Sequence, residues 1–135
     1  MSVERINPPE LQEPQGFVHV SVARGSKLVF LSGQVGTRQD GTIAAEGDLA
    51  AQTAQALRNV KAGLDAAGAT LDDVVKSTLY IVDWRPEKFD QLMAGVMEAA
   101  GEIGAPPISS STLVSVQGLF DPAYLIEIDV TAVVE

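Results

Sequence analysis

A chain of 135 residues, 46% hydrophobic and 20% charged, has the composition of one globular domain spanning 1–135 with apolar material enough for its own core. A net charge of −9, with the nine Lys and Arg scattered along the chain, argues against a nucleic-acid partner, because such a surface repels phosphate. Cysteine is absent, which excludes disulfides, thiolate metal ligands and a cysteine nucleophile and suits a reducing compartment such as the cytoplasm.

The first residues, MSVERINPPELQEP, are polar and proline-rich and lack the apolar stretch of a signal peptide. No apolar run approaches membrane-spanning length, so a cytoplasmic protein is expected. Residues 17–23 alternate weakly and predict an opening strand. A turn signal at Arg24-Gly25-Ser26 and the apolar run Leu28 to Leu31 make a β-hairpin of that region. Asp40-Gly41 predicts a second, smaller hairpin between Val35–Arg38 and Thr42–Ala45.

Asp48 is a candidate N-cap, and behind it Leu49, Thr53, Ala56, Leu57, Val60, Leu64 and Ala67 recur at spacings of three and four. The pattern predicts a helix of about five turns closed by Gly68. Thr70 to Asp73 reads as a capped turn, and Val74–Val82, rich in β-branched residues, as a strand. Pro86 opens a second helix whose apolar stripe is Phe89, Leu92, Met93, Val96, Met97 and Ala100, ended by Gly101 and by Gly104 to Pro107. Thr112–Val116 and Tyr124–Val133 are the last strands, with Gly118 and Asp121-Pro122 at the bend.

This order predicts an α+β two-layer sandwich, a mixed sheet with two helices on one face. In the strand 74–82 both alternating sets are largely apolar. The sheet face away from the helices is therefore expected to pack on other copies of the chain.

No nucleotide-binding glycine loop, metalloprotease helix or hydrolase elbow is present, so no cofactor and no metal are expected. His19, the only histidine, is read as a strand residue bonding locally or lying in an oligomer contact, the alternative being a general base.

The blocks Leu28 to Val35 (LVFLSGQV), Asp48 to Gln52, Asn59-Val60-Lys61, Ala66-Ala67-Gly68, Asp73 to Thr78 and Leu125 to Asp129 (LIEID) stand in an order and at separations that resemble the RidA (YjgF-type) imine/enamine deaminase family. The resemblance covers about residues 5 to 134. It implies a chorismate-mutase-like fold and a homotrimer with the sheets inside. It also implies a small-molecule pocket at each subunit interface, where reactive imines or enamines are hydrolysed.

Position by position, the resemblance implies a catalytic role for Glu127, which directs water, and substrate contacts at Ser32, Gly33 and Lys76. Phe17 stands where the family usually has tyrosine, Met93 where asparagine is common, and Leu113 where cysteine is common. The family's P-A-R-(S/T)-x-V motif aligns with Ser109 to Val114, so Ser111 replaces the arginine that clamps the substrate carboxylate. A planar bidentate donor suits that anion, and without it a simple imino acid is not the expected substrate. A hydrolase for another substrate, a non-catalytic binding or sensing trimer, and an endoribonuclease disfavoured by the charge all stay open.

Each of these positions also has a plain structural explanation. Glu127 on a solvated strand face, Gly33 at a bend, Lys76 in an ion pair and Ser111 as a spacer would each carry no chemistry. Trp84 and Phe120 flank turns, either as anchors or as the rim of a pocket.

Overall fold

The computed structural model describes residues 3–106 and 109–135. Pro107, expected among the residues that end the second helix, lies outside them. In chain order the strands and helices are β1 (Val3–Ile6), β2 (Val20–Ala23), β3 (Lys27–Phe30), β4 (Gln34–Val35), α1 (Leu49–Ala66), β5 (Val74–Val82), α2 (Phe89–Ile103), β6 (Ser110–Val116) and β7 (Ile126–Val134). The main sheet runs β3-β7-β5-β6, and β4 also pairs with β7. Strands β5 and β6 are parallel, as a crossover through α2 requires, and the other pairings are antiparallel. Both helices lie on one face, which bears out the two-layer α+β reading.

The helix signals act as read. The Asp48 carboxylate accepts from the Ala51 N–H at 3.0 Å, and α1 runs 18 residues to Gly68 beyond its end, whose φ of +74° suits glycine. Leu49, Ala56, Leu57, Val60 and Leu64 are buried against Ile126, Ile128, Val130 and Ala132 of β7. Helix α2 crosses α1 closely at Gly95, where an added Cβ would lie 2.6 Å from the Cβ of Thr53.

Several expectations need correction. Residues 17–23 form no hairpin with 28–31. Strand β2 begins at Val20 and pairs antiparallel with β1, in the segment read as merely polar, while β3 pairs with β7. Arg5 holds β1 in place by donating to the carbonyls of Asp72 and Val74 at 3.1 and 3.2 Å. Between 35 and 45 the small hairpin reduces to one bridge, Thr37 with Ile43, tightened by the Arg38 N–H to Thr42 carbonyl bond of 2.8 Å. Pro86 opens a single 3-10 turn, α2 proper starts at Phe89, and Gly101 lies inside the helix, which ends at Gly104.

The two faces of β5 also differ from expectation. A bulge between Val74 and Lys76 shifts the alternation, so buried Val74 joins Ser77, Leu79 and Ile81 on the helix side. Lys76, Thr78 and Tyr80 face away, opposite Thr131, Asp129 and Glu127 of β7. That outer face is mixed in polarity, with its apolar part at Leu28 and Phe30, 66% and 72% exposed.

A polar knot joins helix to loop. Gln52, fully buried, donates from Nε2 to the carbonyls of Ala45 and Ala123 at 2.9 and 3.0 Å and accepts from the Leu125 N–H at 2.8 Å. Gln52→Leu strands three backbone groups away from water. We expect it to lower unfolding stability by about 3 kcal/mol in urea titrations, since each orphaned group costs ~1–3 kcal/mol.

Arg58 clamps α1 to α2 by donating to both Glu102 oxygens at 2.8 and 2.9 Å. That hydrogen bond holds the Glu102 carboxyl below its usual range. A carboxyl lowered in the folded state stabilises above its unfolded pKa, and the contribution is lost as pH falls through the folded value. Glu102→Gln should therefore lower the calorimetric midpoint slightly at neutral pH, and the difference should vanish in acid and in high salt.

Candidate functional site

Beneath α2 the sheet and the helices do not fill all the space between them, and a cavity of about 550 Å³ lies there. Its roof is Leu57 and Val60 of α1 with Phe89, Leu92, Met93 and Val96 of α2. Its floor is Ser77 and Leu79 of β5, Ser111 and Leu113 of β6, and Ile128 and Val130 of β7. The floor residues are cross-strand partners, Ser77 with Ser111 and Val130, Leu79 with Leu113 and Ile128, and so project from one face. Small serines in place of larger apolar residues leave this space unfilled.

Gln15, Gly16 and Phe17 close one side. They are positioned by the chain just after them, where the Val18 N–H donates to the Ser109 carbonyl at 3.1 Å and the hydroxyls of Ser21 and Ser110 meet at 2.7 Å. His19 stabilises the same segment. Its Nε2 lies 2.6 Å from the Gln12 carbonyl, its N–H donates to Asn7 Oδ1 at 2.9 Å, and its ring stands edge-on to Phe17 at 5.1 Å. Its bonds are local as expected, but His19 lies just before β2 and not in a strand.

Of the residues singled out in the sequence, Phe17, Met93, Ser111 and Leu113 line the cavity together. Glu127, Lys76, Ser32 and Gly33 do not. Glu127 pairs in register with Tyr80 on the outer face, so the sheet itself stands between its carboxylate and Ser111. Gly33 lies against it, since an added Cβ would fall 2.6 Å from Glu127 Cδ. Lys76, exposed on the outer face, donates to the Thr112 hydroxyl at 2.8 Å. Ser32 is exposed, and its carbonyl accepts from the Gln34 side chain at 3.0 Å. The eight positions thus form two groups on opposite faces of one sheet.

Sequence reasoning missed Ser77 and Ser109. Ser77 lies 2.7 Å from the Ser111 hydroxyl and 3.0 Å from that of Ser109, and Ser109 is itself buried. The available signal was a serine alternating with Leu79 and Ile81 in β5, a polar group that needs a partner where that face is buried. Trp84 packs against the core, its backbone N–H donating to the Ser115 hydroxyl, and Phe120 stands 98% exposed; neither lines the cavity. Among the described residues, none that lines the cavity carries a titratable side chain. Among the described residues no three His, Asp or Glu side chains converge as a metal site requires, and no helix is long and apolar enough to cross a membrane.

Comparison with known proteins gives this geometry its relatives. The family model described as Endoribonuclease L-PSP matches residues 10–134. RutC family protein YjgH of Escherichia coli K12 is 40% identical over 97 residues, covering 71% of this chain and 69% of that protein. The crystal structure of YyfB, a protein of unknown function of the conserved Rid family from Yersinia pestis, superposes with a TM-score of 0.86 at 34% identity, covering 99% of this chain and 100% of that one. Escherichia coli TdcF with bound serine is similar at 27% identity and a TM-score of 0.67, covering 100% and 99% of the two chains. With the fold, the order of the sequence blocks and these likenesses in agreement, the chain belongs to the RidA/YjgF family.

Proposed function

We propose that this chain is a small-molecule protein of its family whose cavity receives a compact, uncharged, largely apolar ligand, and that it does not act on simple 2-imino acids. The observation that carries this reading is the lining. At Phe17, Met93, Ser111 and Leu113, where the resemblance implies substrate contacts, the structure has a 550 Å³ cavity without a charged group. That volume falls in the range of small-molecule sites, and the few polar groups among apolar walls suit orientation of a ligand. TdcF holds serine, an amino acid with a carboxylate. The same ligand here would leave water with no countercharge waiting, a loss that buried hydroxyls alone do not offset.

A hydrolytic deaminase is the second reading, favoured by the half-buried Glu127 carboxylate packed on Gly33. Because the sheet separates Glu127 from Ser111, that chemistry needs Glu127 of one copy beside the cavity of another. A homotrimer that sets the outer face of one copy, with its exposed Leu28 and Phe30, against the cavity side of the next would provide this. Glu127 would take a proton from water as its oxygen adds to the carbon of a C=N bond and pass it to the nitrogen, giving a carbinolamine; the hydroxyl proton then moves to nitrogen as the C–N bond breaks, and ammonia leaves with a carbonyl product. Endoribonuclease activity has the least support, given the net charge of −9 and an uncharged cavity.

The readings separate in an amino-acid oxidase assay that follows keto-acid release. Wild-type protein is expected to leave release of pyruvate from 2-iminopropionate unchanged. Acceleration that Glu127→Ala abolishes would replace the binding reading with the deaminase. Ser111→Arg is expected to strengthen pyruvate binding on the order of tenfold by calorimetry, because hydrogen bonds to a charged group contribute ~1.5–3 kcal/mol.

A further inference from the structure

Four polar side chains line the cavity, Gln15 at its mouth and Ser77, Ser109 and Ser111 on its floor. The serine hydroxyls form a triangle with sides of 2.7 Å (Ser77–Ser111), 3.0 Å (Ser77–Ser109) and 3.4 Å (Ser109–Ser111). Ser77 is the hub, making both short contacts. Three hydroxyls carry three protons. The two short links use two of them. The third has only long partners within the cluster, across the 3.4 Å side or from Ser111 to the Ser109 carbonyl at 3.3 Å.

The proton held only by such a long contact can turn to a ligand oxygen, and if the hydroxyls rotate the other way, lone pairs face the ligand instead. Such a cluster can donate to a carbonyl or accept from a hydroxyl. A guanidinium only donates, and carries charge. A carboxylate here would meet one spare proton and no cation.

We infer that Ser77, with Ser109 and Ser111, recognises an uncharged carbonyl or hydroxyl oxygen on an apolar ligand and sets a preference for neutral over anionic molecules. The inference rests on the cavity being a ligand site. Apolar walls at Leu57, Val60, Leu92 and Val96 take the ligand body, and the serines fix the end that carries oxygen.

The test uses the full chain with ¹³C-methyl methionine. Of the three methionines, Met93 lines the cavity and Met97, 67% exposed, serves as an internal control. The probes are 2-acetylnaphthalene, 2-ethylnaphthalene and 2-naphthoate, which share a ring body and differ at one substituent. The ketone is expected to shift the Met93 signal with about fivefold or greater affinity over the hydrocarbon, the size of one net hydrogen bond. The carboxylate should leave it unmoved.

Ser77→Ala should erase the preference for the ketone while 2-ethylnaphthalene still shifts Met93. Equal affinity of ketone and hydrocarbon for the wild type, tightest binding by the carboxylate, or an unchanged preference in Ser77→Ala overturns the inference and leaves the cavity a ligand site. If no probe moves Met93, the cavity is not a ligand site and the inference falls with it. Should Ser77→Ala fail to fold, the wild-type comparison of ketone with hydrocarbon decides alone.

Discussion

Strand β7 alternates with a period of two, and the rest of the molecule is arranged around that alternation. Ile126, Ile128, Val130 and Ala132 point to the helices and are buried, while Glu127, Asp129 and Thr131 point the other way. Because β7 pairs with β3, β4 and β5, its register fixes which face each of their side chains occupies. A slip of one residue would place two carboxylates in the hydrophobic core. Burying an unpaired carboxylate costs so much that the register has no close competitor.

The same alternation divides the chemistry. Serines 77 and 111 share the helix-facing side with the core, so their hydroxyls must satisfy one another or a ligand. Glu127 shares the opposite side with Tyr80, where water or another copy of the chain can reach it. A strand cannot present two faces to one cavity. Any reaction using both groups is thus a reaction between chains.

Much of the fold was legible because its signals are local. The Asp48 cap, the spacing of three and four in α1, the β-branched run 74–82 and the glycine at 68 depend on neighbours within a few residues. The first strand was not legible, because Val3–Ile6 is short and two of its four residues are charged; it is a strand only through pairing with β2 and through Arg5 reaching the carbonyls of Asp72 and Val74. The bulge at Val74–Lys76 escaped for a related reason. Nothing in the run of residues marks it, and it exists because β5 must match β7.

By itself the sequence determined the two-layer architecture and the two helices, since periodicity and capping are written in consecutive residues, and the resemblance of its blocks pointed to the family. Of the seven positions at which the resemblance implied substrate contacts, Phe17, Met93, Ser111 and Leu113 line the cavity and Ser32, Gly33 and Lys76 do not. Only the tertiary structure decided that Glu127 and Lys76 lie on the other side of the sheet, and that Ser77 and Ser109 complete the polar floor around Ser111. The physical reason is that a side chain's face follows from register between strands far apart in the chain, and register is settled by burial of the whole core rather than by any one segment.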